Sequence, residues 1–264
     1  MNYILTNAQL DFWQQHGFIK ISRFLSREET ENLQRWSDEL YALPETPGKW
    51  MKYFEHRDGK KLLCRIENFL DYHDGMSDLL RGKNTLSLLS QLMGEPAVLF
   101  KEKVNFKLPG GNGFTPHQDA PAFISFNQKY HITMMLCIDD STIENGCLNI
   151  VEGGFEKDRF MPQNSDGSIL ASLSDKFEWK AIECKAGDVL LFDSYVPHYS
   201  KSNNSNKSRR ALFVTYNKAS EGGSKRQAYY ADKRVNFPPE CERDPNKDYS
   251  KGARIYNVAN PIGK

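Results

Sequence analysis

No stretch of the chain approaches the roughly 20 consecutive apolar residues that a membrane-spanning helix needs, and no basic segment followed by an apolar run opens it at Met1. Neither a span nor a secretory leader is expected. An excess of charge of one sign is missing too: 35 basic side chains against 34 acidic ones leave a net charge of +1, so no global field exists to hold nucleic acid or an anionic membrane. Any charged ligand must be gripped locally. The five cysteines, Cys64, Cys137, Cys147, Cys184 and Cys241, are odd in number, widely spaced and without a CxxC pair, which argues against a disulfide framework or a structural zinc site. A soluble, cytoplasmic protein with a small-molecule partner is the expectation. Repeats, low-complexity stretches and long heptads are also lacking, and the 264 residues are read as a single domain with its oligomeric state unmarked.

What is present is a change of period along the chain. Thr6 and the Ser26/Glu29 capping box predict helices over 7–15 and from 27 to Pro44, with a short strand at Phe18-Ile19-Lys20-Ile21 between them. A third helix is expected from Ser77 to Met93, stopped by Gly94 and Pro96. After Pro96 the period becomes two: Lys101-Glu102-Lys103-Val104-Asn105-Phe106-Lys107 alternates as a strand with two unlike faces, the polar one suited to line a site. Further strands are expected at 131–138, 147–151, 188–192 and 210–216. The predicted class is α+β: residues 1–95 mainly helical, an antiparallel sandwich or barrel over 96–217, and an irregular segment over 218–264 wrapping the core. Tyr229, Tyr230, Phe237 and Tyr256 are more aromatics than a disordered tail carries.

The chemistry centres on Thr115-Pro116-His117-Gln118-Asp119. Residues i and i+2 of an extended strand share a face, so His117 and Asp119 can reach one cation. His198, after the apolar run Val189-Leu190-Leu191-Phe192, supplies the third ligand of a 2-His-1-carboxylate triad that leaves positions open on non-haem Fe(II). An HxD pair alone is most often a surface hydrogen bond; the added weight comes from Arg209, whose guanidinium fork suits a carboxylate. Adjacent Arg210 leaves that assignment open by one residue. His16, His56 and His73 read as structural, His131 as a hydrogen-bonded core or rim residue, Cys137 and Cys147 as small core residues, and Asp139-Asp140 as a turn.

These residues resemble the phytanoyl-CoA dioxygenase family of Fe(II)- and 2-oxoglutarate-dependent oxygenases. The matching segments are His117-Gln118-Asp119, Asn145-Gly146-Cys147-Leu148, Gly187 through His198, Ser200 and Arg209, within a resemblance spanning most of 8–217. It implies a double-stranded β-helix (jelly-roll) core flanked by N-terminal helices, with dioxygen, Fe(II) and 2-oxoglutarate as reactants. It further implies that Arg209 and Ser200 hold the distal carboxylate of 2-oxoglutarate, with Asn105, Thr133 and Lys101 as further co-substrate contacts. Related halogenases have a small residue at the position of Asp119, so the carboxylate implies hydroxylation. One departure is Gly153-Gly154-Phe155-Glu156, where many members carry Gly-Ser-His.

Within the family, Lys49 through Glu55, Arg65-Ile66-Glu67-Asn68-Phe69, Glu95 through Gly111 and Asn257 through Ile262 resemble the branch that hydroxylates 2-aminoethylphosphonate and its N-methylated relatives. A phosphonate wants cationic or amide donors, and Lys103, Arg65 and Asn68 are the candidates; an ammonium wants a carboxylate or aromatic face, and Glu67, Tyr53 and Trp50 are available. An Arg65–Glu67 ion pair that merely shapes a loop explains the same residues. The same oxygenase chemistry on an amino acid, betaine or natural-product intermediate, a non-catalytic metal-binding jelly roll, and hydrolytic zinc chemistry are the competing readings.

Overall fold

The computed structural model describes residues 3–57 and 59–259. Its first elements follow their caps. Thr6 closes a capping box with Gln9 at the start of α1 (Asn7–His16), and Gly17, at φ 72°, ends the helix in the left-handed conformation that glycine adopts without strain. β1 (Phe18–Ile21) leads through the Ser26/Glu29 box into α2 (Arg27–Ala42). The third expected helix is in fact two, α3 (Asp74–Arg81) and α4 (Lys83–Met93), broken at Gly82, where a Cβ would lie 2.3 Å from the Asp78 carbonyl.

Between α2 and α3 lies the main departure from a helical N-terminal region: β2 (Met51–Arg57) and β3 (Lys60–Glu67) form an antiparallel hairpin. Its sequence is rich in Lys and Glu and lacks clean alternation, so the pairing is decided by β4 (Ala97–Lys107), onto which β3 adds through Arg65↔Asn105 and Glu67↔Lys103. The remaining strands are β5 (Phe114–His117), β6 (His131–Cys137), β7 (Leu148–Val151), β8 (Trp179–Ile182), β9 (Val189–Asp193), β10 (His198–Ser200) and β11 (Arg209–Lys218), with a short helix α5 (Ala171–Ser174) before β8. Two sheets result, ordered β1-β9-β6-β11-β4-β3-β2 and β5-β10-β7-β8. Together they are the jelly roll of an α+β double-stranded β-helix.

The larger sheet buries one face against the N-terminal helices, where Leu33, Leu40, Leu80, Leu88 and Leu89 meet Val104, Met134, Leu191, Leu212 and Val214. Its other face closes over the smaller sheet, with Met135, Leu148, Ile150 and Phe192 in the interior. Alternation along β4 sends Lys101, Lys103, Asn105 and Lys107 to that interior and Val104 and Phe106 to the helices. The segment after β11 corrects a second expectation. It is not irregular throughout but carries α6 (Arg226–Asn236) and α7 (Ser250–Tyr256), whose Tyr229, Tyr230 and Tyr256 pack with Phe100, Phe123 and Phe237. β3 stops pairing with β4 at Lys103, and the Tyr230 hydroxyl takes over the exposed strand edge, accepting from Glu102 N at 2.9 Å and donating to Glu102 O at 2.6 Å. Residues 260–262 of the tail resemblance lie outside the described residues. Among the described residues no helix is long and apolar enough to cross a membrane.

Candidate metal centre and its two lobes

β5 and β10 pair so that His117 and His198 lie opposite one another, with ring centroids 4.2 Å apart. Asp119 reaches the same point by a different route from the one expected. β5 ends at His117, and Asp119 has helical backbone (φ −75°, ψ −32°) at the start of a 3-10 turn. Gln118 makes the corner rigid. Fully buried, it donates to the carbonyls of Tyr195 (2.8 Å) and Arg159 (3.1 Å) and accepts from Met161 N (2.8 Å), so its neighbours on either side face the opposite way together.

The donor set is prepared for a cation. His117 Nδ1 lies 2.7 Å from its own strand's Thr115 carbonyl and His198 Nδ1 3.0 Å from the Val196 carbonyl. A carbonyl only accepts, so each Nδ1 carries the proton and each Nε2 presents a lone pair. Asp119 Oδ1 is 3.8 Å from His117 Nε2 and 4.0 Å from His198 Nε2, and the three ligand atoms all lie within 4.8 Å of one another. The other carboxylate oxygen, Oδ2, accepts from Thr133 Oγ1 at 3.0 Å. Burial, with His198 close by, lowers His117 to about 3, and burial lowers His198 as well. Burial would raise the Asp119 carboxyl, but His198, His117, Lys103 and Lys101 outweigh it and hold it below the usual carboxylate range. Two neutral imidazoles and one ionised carboxylate are the protonation states that a divalent metal requires.

From this point two lobes open, sharing His117, Asp119, Lys103 and Phe114. One is lined by Asn105, Leu148, His198, Ser200, Arg209 and Phe213. Arg209 is buried, and its Nε and Nη1 have no hydrogen-bond partner among the described residues. Arg210 points the other way, donating to Asp139 at 2.8–2.9 Å and to Asp38 at 2.5 Å, so of the two arginines it is Arg209 that lines the lobe. A buried guanidinium with unused donors fits a carboxylate ligand, and the triad fits Fe(II). Sequence reasoning passed over Lys107, although it continues the alternation Lys101, Lys103, Asn105. Its Nζ donates to Ser200 Oγ (2.8 Å), Lys201 O (2.6 Å) and Gly146 O (3.3 Å), while burial and then Arg209 lower its pKa to about 6. With Lys107 donating to its oxygen, the Ser200 hydroxyl proton is free to point into the lobe.

The other lobe is lined by Arg65, Glu67, Lys101, Tyr229, Tyr256 and their neighbours. Lys101 therefore sits across the metal centre from Arg209 and Ser200, and Thr133 lies beneath Asp119. Lys101 and Lys103 make no hydrogen bond or ion pair among the described residues; their ammonium groups rest over the rings of Phe123 (4.6 Å) and Phe213 (5.5 Å) respectively. Burial lowers both, Lys103 strongly, with Arg65 and Lys101 adding to it. Arg65 donates to Glu67 (3.2 Å) and to Asn105 (3.3 Å), so the expected ion pair exists, but inside the lobe. Burial would raise Glu67, yet Lys233 and Arg65 bring it down to about 2.

Three of the expected substrate contacts lie elsewhere. Asn68, just past the end of β3 and at φ 56°, accepts from Arg226 (3.2 Å) and donates to the Lys49 carbonyl (3.3 Å). Tyr53 stacks on Phe237 and donates to its carbonyl at 2.8 Å, and Trp50 donates to the Pro44 carbonyl. Of the remaining histidines, His131 meets Gln128 in the core, His16 the Glu152 carbonyl and His56 Glu240, while His73 caps α3.

Comparison with known proteins places the chain in a family. The chain is 51% identical over 264 residues to "2-aminoethylphosphonate dioxygenase" of uncultured bacterium HF130_AEPn_1, covering 99% of this chain and 100% of the relative. It is 41% identical over 237 residues to "methylphosphonate hydroxylase" of Gimesia maris, covering 90% of each. The crystal structure of EctD from S. alaskensis with 2-oxoglutarate and 5-hydroxyectoine superposes with a TM-score of 0.69 at 20% identity, over 82% of this chain and 77% of that one, a likeness of fold. The profile of the phytanoyl-CoA dioxygenase (PhyH) family matches residues 13–211, and the chain belongs to that family.

Proposed function

We propose that this dioxygenase hydroxylates a C–H bond of a small alkylphosphonate, with 2-aminoethylphosphonate or methylphosphonate as the type of substrate. The observation that carries the substrate class is the pair of half-buried ammonium groups, Lys101 and Lys103, lining the lobe with no anionic partner bonded to them among the described residues. Leaving two like charges desolvated and unpaired is costly. A dianionic ligand removes that cost, and Arg65 adds a third donor on the same wall. The phosphonate chemistry in the names of the relatives at 51% and 41% identity supports the same class.

His117, Asp119 and His198 would hold Fe(II), and Arg209 with Ser200 would hold the far carboxylate of 2-oxoglutarate in the first lobe. Bound there, the metal and 2-oxoglutarate supply the oxidising power, one dioxygen atom entering the substrate and the other the succinate formed with carbon dioxide. The chain's own contribution is placement. Lys103 borders both lobes and sets the anionic head of the substrate beside the metal ligands, while Tyr229, Tyr256, Ile255 and Val258 close the lobe against water. The five cysteines are free thiols, four of them buried, which supports a reducing, cytoplasmic setting.

The test is succinate release from Fe(II)-loaded protein with methylphosphonate, 2-aminoethylphosphonate and its trimethylated analogue, with phosphorus NMR of the product. Stimulation by at least one phosphonate, with a new hydroxyphosphonate resonance, is expected. Stimulation only by amino acids or betaines lacking phosphorus would refute the substrate class.

A further inference from the structure

The family profile ends at residue 211, yet one wall of the phosphonate lobe comes from beyond it. From α6, Lys233 reaches under the lobe and donates to both oxygens of Glu67 at 2.7 Å each, while Arg65 donates to Oε1 at 3.2 Å. All three side chains are buried. The rings of Tyr53, Tyr256 and Tyr229 surround Lys233 Nζ at 4.8, 5.6 and 5.9 Å from their centroids, so the ammonium is enclosed by aromatic faces and one carboxylate. Glu67 pairs across the sheet with Lys103 and so sits beside the cations that face the lobe.

A bare Glu67 carboxylate at that position would oppose an anionic ligand and bind Lys101, Lys103 and Arg65 in its place. Lys233 prevents this. With both carboxylate oxygens taken by Lys233, Arg65 spends Nη1 on Glu67 and Nε on Asn105 and still lines the lobe.

We propose that Lys233 is a specificity-determining positioning residue: by neutralising Glu67 from outside the lobe, it keeps the lobe cationic and thereby selects dianionic substrates. The assignment rests on the phosphonate reading above only for the identity of the anion. Two unit charges roughly 6 Å apart at an effective dielectric constant near 20 interact strongly enough to change an equilibrium about 10²-fold.

The test compares Lys233→Met, Glu67→Gln and the double variant as full-length proteins, using inorganic phosphate binding by calorimetry together with KM and kcat for methylphosphonate. Lys233→Met is expected to weaken phosphate binding and raise KM about 10²-fold, with KM for 2-oxoglutarate unchanged. Glu67→Gln removes the opposing charge and is expected to bind phosphate at least as tightly as the natural chain. The double variant is expected to return to within about tenfold of it, a rescue that lost packing alone would not produce. Phosphate binding unchanged in Lys233→Met, weakened tenfold by Glu67→Gln, or absent from the natural chain overturns the proposal, and the Glu67→Gln arm decides it even if Lys233→Met does not fold. If phosphate binding follows the expected pattern while no phosphonate is turned over, the phosphonate reading fails and the role of Lys233 stands. If phosphonates are hydroxylated and Lys233→Met is indifferent, the reverse holds.

Discussion

Replacing Arg209 by Met has two consequences of opposite sign. The Arg209 guanidinium is buried with Nε and Nη1 lacking a hydrogen-bond partner among the described residues, and orphaned buried donors of this kind cost about 1–3 kcal/mol each. Burial accordingly lowers its pKa, outweighing the opposing pull of Cys137, Cys147 and Asp139. Met retains the aliphatic stem and drops the charge, so Arg209→Met without 2-oxoglutarate should melt no lower than the natural chain. Binding shows the other side. Losing one partner of a buried, hydrogen-bonded charge pair costs about 2–5 kcal/mol, and at about 1.4 kcal/mol per factor of ten KM for 2-oxoglutarate should rise by about 30-fold to a few thousandfold. A thermal melt gives an independent readout. Ligand at 100 times its Kd stabilises by about 2.7 kcal/mol, which for a chain of this size is a rise of roughly 5–10 °C; Arg209→Met should show none of it. Arg210→Met is the control, since its contacts to Asp139 and Asp38 lie at the rim and are worth about 1 kcal/mol of stability or less. If Arg209→Met keeps KM within threefold, or Arg210→Met has the larger effect, Arg209 is not the co-substrate anchor.

Thr133→Val removes the hydroxyl that holds Asp119 Oδ2 and should lower Fe(II) affinity about 10–100-fold in an anaerobic titration with little change in fold. Asp193 is pushed up to about 6 by burial, above an unfolded value near 3.9. The folded state therefore binds the extra proton between about pH 4 and 6, stability is gained as pH falls through that window, and the deficit is fully present above it. Asp193→Asn should stabilise the protein by about 3 kcal/mol at pH 8 and hardly at all at pH 4, in paired urea melts. At Gly252 a Cβ would lie 1.8 Å from the Asn236 carbonyl oxygen, so Gly252→Ala must displace α7 and with it Ile255 and Tyr256. Substrate KM should rise and 2-oxoglutarate consumption uncouple from hydroxylation, while the melting temperature of the jelly roll changes little; coupled turnover at the natural KM would show that α7 is not part of the lobe.

Much of the metal centre was legible because its signals are local. His117 and Asp119 are two residues apart, and His198 follows a strand as apolar as the buried β9. Spacing alone left Arg209 and Arg210 open, since strand alternation is known only once the register is, and it was the family resemblance that pointed to Arg209. Asn68 and Tyr53 have the right chemistry for a phosphonate lobe but stand on the wrong side of a strand end and behind a ring stack. The hairpin β2–β3 was missed for a related reason: strands that add to an existing edge need little intrinsic pattern of their own, and Lys60 through Glu67 carry almost none.

The amino-acid sequence by itself determined the caps of α1 and α2, the alternation that sends Lys101, Lys103, Asn105 and Lys107 to one face of β4, and the ligand types at 117, 119 and 198. Short-range geometry is enough for each of these. Only the tertiary structure decided that Arg65 and Glu67 share a wall with Lys103 and that a lysine more than 160 residues from Glu67 neutralises it. Charge pairing in a buried lobe depends on which groups are desolvated together, and distance along the chain carries no information about that.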